Sequence, residues 1–147
     1  MNLDMMISLL NSDLQREVTH WHFYTHSSLV ISGLHRLEIR EFLQEQAAEE
    51  AKHIDEFAHV ILGLGGKPST NNLTLNCPSF EDPKAILEYA YKIETEVVKN
   101  YVERITQAQE LSDIDPVKAK YIELFLENHV IHSQKDADEI LMLVKGL

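Results

Sequence analysis

The stretch GKPSTNNLTLNCPSFED, residues 66–82, decides how the rest of the chain can be arranged. Two prolines, a glycine and a run of Ser, Thr and Asn make it a connection rather than a helix. No alternating strand pattern replaces it. Its roughly 17 residues reach about 55 Å when extended. Helical patterns of nearly 30 residues lie on either side, and each would be about 40 Å long at 1.5 Å rise per residue. A connection of that reach can run the whole length of a helix pair.

Upstream, the first helical pattern runs from about Leu3 to Ile31, with Leu3, Leu10, Leu14, Trp21, Tyr24 and Ile31 on one face. Gly33 is placed to close it in the left-handed region. After the link SGLHR, the second runs from about Leu37 to Leu64, with Leu43, Ala47, Ile54, Phe57 and Ile61 recurring at helical spacing, and stops at Gly65–Gly66. Downstream, Asp82 as N-cap and Pro83 at the first helical position open a third helix carrying Ile86, Ala90, Ile93, Val97, Tyr101 and Ala108. Asp115 and Pro116 repeat that start for a fourth, with Ile122, Phe125, Leu126, His129, Ala137, Ile140 and Val144. The short first and last links make helices one and two, and three and four, antiparallel neighbours. The expected fold is therefore all-α, a four-helix bundle of one domain over residues 1–147, with one long crossover between helices two and three.

The inner faces carry groups that a buried stripe should not contain. Glu17 sits in the first, between Leu14 and Trp21. Glu50 and His53 sit in the second, as an E-x-x-H pair inside QAAEEAKHIDEF, residues 46–57. Glu94 follows Ile93 on the flank of the third, and His129 with His132 lies on the fourth, Asp136 beyond them. Isolated buried carboxylates cost several kcal/mol each unless compensated. Few basic residues share these faces, and divalent cations can do the compensating. Carboxylate with imidazole suits iron, manganese or zinc. Four helices offering ligands at one height would hold two ions, a dinuclear carboxylate site built from Glu17, Glu50, His53, Glu94, His129 and His132.

Composition agrees with this and excludes other classes. A formal net charge of −11 makes the chain a poor partner for nucleic acid and a good attractor of cations. The uncharged stretch MMISLLNS is too short to span a bilayer and lacks a signal-peptide layout. The single cysteine, Cys77, rules out an intrachain disulfide and the CxxC pairs of a zinc ribbon, which fits a cytoplasmic location.

With these residues in view, the chain resembles the ferritin superfamily, most closely the bacterioferritins and the Dps-like mini-ferritins. LNSDLQREVTHWHFY is similar to that family's first-helix segment, EEAKHIDEF to its second-helix E-x-x-H, ILGLGGKP to the start of its crossover and AYKIETEVVKN to its third-helix segment. The resemblance implies Glu17 as ligand, Glu50 as bridging ligand, His53 as terminal ligand, Glu94 as the third-helix ligand and Tyr24 as a tyrosine near the metals. Where the family carries a second E-x-x-H, LENHVIHSQKD offers His129 in the bridging place and His132 as terminal ligand, with Glu127 as the substitute. The family's haem methionine position is Ala51, so haem is not expected. The implied function is oxidation of Fe(II) to Fe(III) by oxygen or hydrogen peroxide at an intrasubunit di-iron ferroxidase centre. Storage would follow in a homo-oligomeric shell of 12 or 24 subunits. The rivals are a non-storing, rubrerythrin-like peroxidase and a DNA-protecting starvation-type mini-ferritin. Glu45 and Glu49 lie on the outer side of the second helix, and His20, His22 and His26 are expected at the surface.

Overall fold

The computed structural model describes residues 1–71 and 73–147; Asn72, in the connection, lies outside the described residues. Four helices make up the fold: α1 (Leu3–Val30), α2 (Arg36–Gly63), α3 (Pro83–Gln109) and α4 (Pro116–Lys145). Among the described residues there is no strand.

Local chemistry sets the ends. The Asn2 side chain accepts from the Met5 N–H at 2.8 Å, Asp82 from Ala85 at 3.0 Å and Asp115 from Lys118 at 3.0 Å, so three helices start on a side-chain cap. Pro83 and Pro116 follow their caps, where a missing N–H costs nothing. α2 starts at Arg36 without such a cap. It ends in a Schellman motif: Gly65 at φ 87°, the Gly66 N–H donating to the Ile61 carbonyl at 2.9 Å and the Gly65 N–H to Leu62 at 3.0 Å. Gly66 is also a close-approach position, since a Cβ there would lie 2.5 Å from Cγ2 of Ile7.

By internal contacts the chain divides into two compact units, residues 7–86 and residues 87–147 with 1–6. The first is the α1–α2 hairpin with its connection. Asn11 donates to the Lys67 carbonyl and accepts from the Ser69 N–H, Glu17 lies against His53, and Arg40 donates to the Ser28 carbonyl. Partner numbers fall as α1 numbers rise, so the two helices are antiparallel. The connection leaves α2 beside Asn11. It next touches α1 where Ser79 meets His26 at 2.7 Å, and the Ser32 N–H donates to the Glu81 carbonyl at 3.0 Å. From Asn11 to His26 is about 22 Å along the axis. The connection thus travels beside α1 and returns the chain to the end where α2 began, the crossover that its length allowed.

In the second unit Tyr101 faces His129 with ring centroids 6.0 Å apart, and Gln109 donates to Glu123 at 3.0 Å. α3 and α4 are therefore antiparallel. Ile93, Val97, Tyr101 and Ala108 of α3, with Ala119, Ile122, Leu126, Ala137 and Ile140 of α4, are buried. One inner-face expectation on α1 fails: Trp21 is 37% exposed. It lies about 60° around the helix from the line through Met6, Glu17 and Tyr24, at the edge of the stripe. Phe23, fully buried, supplies the large side chain instead.

Candidate metal centre

One turn after Leu14, Glu17 projects from the buried stripe of α1, and Glu50 and His53 project from that of α2. The i, i+3 spacing stacks the last two on one face. All three are buried, and one ligand atom from each lies within 4.8 Å of the others. His53 Nδ1 stands 3.5 Å from Glu17 Oε2 and 3.5 Å from Glu50 Oε2. A ring nitrogen between two carboxylate oxygens occupies the position that charge balance assigns to a cation.

Titration follows from that arrangement. Burial alone would raise the Glu17 carboxyl. Hydrogen bonding with Glu50 and His53 outweighs it and holds Glu17 well below the usual carboxylate range. Burial would likewise lower His53, yet the hydrogen bond and charge of Glu17, helped by Glu56 and Glu49, raise it above its ordinary value. The hairpin thus holds an ionised carboxylate against a proton-bearing imidazole, a local charge pair that a divalent ion can replace. Two carboxylates and an imidazole in a buried cluster fit a hard or borderline divalent cation such as Fe(II), Mn(II) or Zn(II).

The other expected site residues fall in different surroundings. Glu94 is 1% exposed, on a flank of the α3 stripe that is itself covered. His129 is buried, with the Tyr101 and Phe125 rings edge-on to it at 6.0 and 4.5 Å. The register that sets Tyr101 against His129 sets Glu94 against the stretch around Asp136 and Ala137. By that register the Glu94 and His129 backbones are offset by about 10 Å along the hairpin, and His129 sits among aromatic rings. His132 is exposed, which corrects its inward placement. It lies one residue short of the stripe, where Ser133 and Ala137 are the buried positions. Glu127, its proposed substitute, is exposed too, as are Glu45 and Glu49. Tyr24 is fully buried, edge-on to Phe23, and seven residues from Glu17, about 10 Å along α1. His22 and His26 are half-buried and stacked with ring centroids 6.0 Å apart.

Sequence reasoning missed several groups in the first hairpin. Asp13, Ser27, Ser28 and Gln46 are buried, Asp13 in a 2.7 Å ion pair with Arg16. His20, expected at the surface, is 7% exposed, and burial pushes its imidazole down to about 4. Its spacing from Glu17, three residues, was the available signal.

The ferritin-like domain family matches residues 7–144, a span that takes in both hairpins. The chain belongs to the ferritin-like domain family. Among solved structures, this ferritin-like chain is similar to a ferritin-like, diiron-carboxylate protein from Bacillus anthracis str. Ames. The two are 27% identical, with 98% of this chain and 99% of that one covered and a TM-score of 0.85. It also shares its fold with a Dps protein from Vibrio cholerae O1 (14% identity, 97% and 90% covered, TM-score 0.84). A third neighbour is a dodecameric thioferritin, the bacterioferritin-related protein of Bacteroides fragilis (21% identity, 100% and 92% covered, TM-score 0.68). No sequence among the curated proteins gives a significant match. No helix among the described residues is long and apolar enough to cross a membrane.

Proposed function

We propose that this ferritin-like protein is a ferroxidase that oxidises Fe(II) to Fe(III) and stores the product in a homo-oligomeric shell. The observation that carries the reading is the buried Glu17–Glu50–His53 cluster, in a chain of a family whose neighbours include a diiron-carboxylate protein. Iron is the substrate here. Two Fe(II) ions each give up one electron. Hydrogen peroxide accepts both, with two protons, to leave two waters; oxygen accepting the same two electrons, also with two protons, leaves one hydrogen peroxide. Glu17 and Glu50 supply hard anionic donors that favour Fe(III), and His53 supplies a neutral nitrogen once its proton is displaced. Glu94 keeps the ligand role that the family resemblance gives it, on its burial alone. His129 and His132 are left out of the ligand set. Tyr24 is an electron donor or a positioning group.

The dodecameric state of the Bacteroides fragilis neighbour supports a 12-subunit shell over a 24-subunit one. A cytoplasmic location belongs to the same reading. The net charge of −11 argues against the DNA-protecting alternative, and iron retained after oxidation separates storage from a non-storing peroxidase. The test is the Glu50→Ala, His53→Ala double variant. Fe(II) oxidation followed by absorbance should fall by about 100-fold or more, with the oligomer intact by size exclusion. An unchanged oxidation rate would refute the centre.

A further inference from the structure

The α1 helix repeats the α2 ligand pattern: Glu17-Val18-Thr19-His20 has the spacing of Glu50-Ala51-Lys52-His53. Two E-x-x-H pairs on antiparallel neighbours are related by a local two-fold axis. That axis would place His20 opposite Glu50 as Glu17 stands opposite His53, and Glu17, on its own helix, is the carboxylate whose charge acts on His20. The same register leads to the same place. If residue 17 is level with residue 53, then residue 20, three further on, is level with residue 50, three back. Along the hairpin the order is therefore Glu17 with His53 at one level and Glu50 with His20 at the next, about 4.5 Å away.

His20 is buried at 7% exposure, and its Nδ1 is buried without a hydrogen-bond partner. Buried imidazole nitrogens are ordinarily satisfied, so an orphaned one is a position waiting for a donor or a cation. The side chains complete the pattern only in part: His53 finds two carboxylate oxygens at 3.5 Å, whereas His20 stands outside the 4.8 Å cluster.

We propose that His20 is the terminal nitrogen ligand of a second cation position in the α1–α2 hairpin, with Glu17 and Glu50 shared between that ion and the one held by His53. The assignment rests on the proposed metal centre and extends it. It also explains how the chain manages without an inward second E-x-x-H on α4: the second histidine comes from α1. The donor set, two carboxylates and two imidazoles, would suit a pair of divalent cations.

The test uses the full chain, stripped of metal, titrated with Co(II), which does not turn over with oxygen on the timescale of the measurement and reports nitrogen and oxygen ligation in its visible absorption. Wild type should take up two tight equivalents per chain. His20→Leu should take up one, with the affinity for the second reduced by at least about 100-fold. His20→Glu restores a donor at the same place and should bring the second equivalent back, a rescue that a packing role would not give. Circular dichroism and size exclusion check that each variant folds. Two equivalents of unchanged affinity in His20→Leu would overturn the His20 assignment and leave the Glu17–Glu50–His53 centre standing. Loss of the second equivalent in His20→Glu as well as in His20→Leu would overturn the ligand role. Wild-type protein that takes up no Co(II) would overturn the proposed centre and the His20 assignment together.

Discussion

The two hairpins have nearly equal helix lengths and opposite interiors. In α1–α2 the buried set includes Asp13, Glu17, His20, Gln46, Glu50 and His53; in α3–α4, among the described residues, the buried polar groups are Glu94, His129 and Ser133. The second hairpin is held by apolar contact and by rings packed edge-on around His129, an arrangement that gains from burial without any cation. The first carries charges that apolar contact cannot offset, and its metal-free form depends on the Glu17–His53 pair. The first hairpin thus gathers most of the buried charge, while the second, Glu94 apart, buries apolar side chains and rings, and similar helical periodicity conceals the difference.

The largest effect should come from testing that contrast directly. Glu17→Ala should weaken Co(II) binding by about 1,000-fold, equivalent to about 4 kcal/mol, whereas His129→Leu should leave it within about threefold, because an imidazole between aromatic rings is replaced by an apolar side chain of similar size. Calorimetric titration of both variants decides it; comparable losses would show that His129 is a ligand after all and would dissolve the contrast.

Acid should weaken the first hairpin. His20 is depressed to about 4 in the folded chain, so between its ordinary 6.5 and 4 the unfolded chain binds the proton first and folding loses stability as pH falls, by on the order of 3 kcal/mol in all. His53 works the other way. Its folded value is raised, so its contribution is fully present below 6.5 and fades as pH climbs through the folded value. Urea unfolding of metal-free protein at pH 7 and pH 4.5 should show the loss, and His20→Leu should remove most of it. Metal uptake has its own dependence: a cation must expel the His53 proton, so affinity rises with pH from below 6.5 upward.

The smallest effect concerns the joint between α2 and the connection. Gly66→Ala should cost about 1–2 kcal/mol in urea unfolding, since the added methyl meets Ile7 and Ile61 and one of them must shift. An unaffected midpoint would mean that the start of α1 yields more easily than the rest of the hairpin.

Much of this was legible in the residues alone. The helix starts at Asp82–Pro83 and Asp115–Pro116, the stop at Gly65–Gly66 and the reach of the connection are local chemistry, and local chemistry is written in sequence order. Glu17, Glu50 and His53 were legible because each falls within the apolar stripe of its own helix. Height was not. Whether Glu94 and His129 stand level depends on how α3 slides against α4, and neither helix records that by itself. His132 was misplaced because the i+3 step from His129, already at the stripe's edge, carries past it, whereas the i+4 step to Ser133 stays inside. His20 was overlooked for a different reason: among His20, His22 and His26 it reads as one of a polar set, although only it shares a face with Glu17.

The connection is tied to α1 by Asn11 near its start and by His26 near its end, and to Ser32 just past α1. Between those knots, Thr70, Asn71, Thr74, Leu75 and Asn76 are exposed. A foreign peptide spliced in between the knots would be borne by a cord whose two fastenings stay closed. The span that makes this topology feasible is therefore also the place where the chain can carry cargo of someone else's choosing.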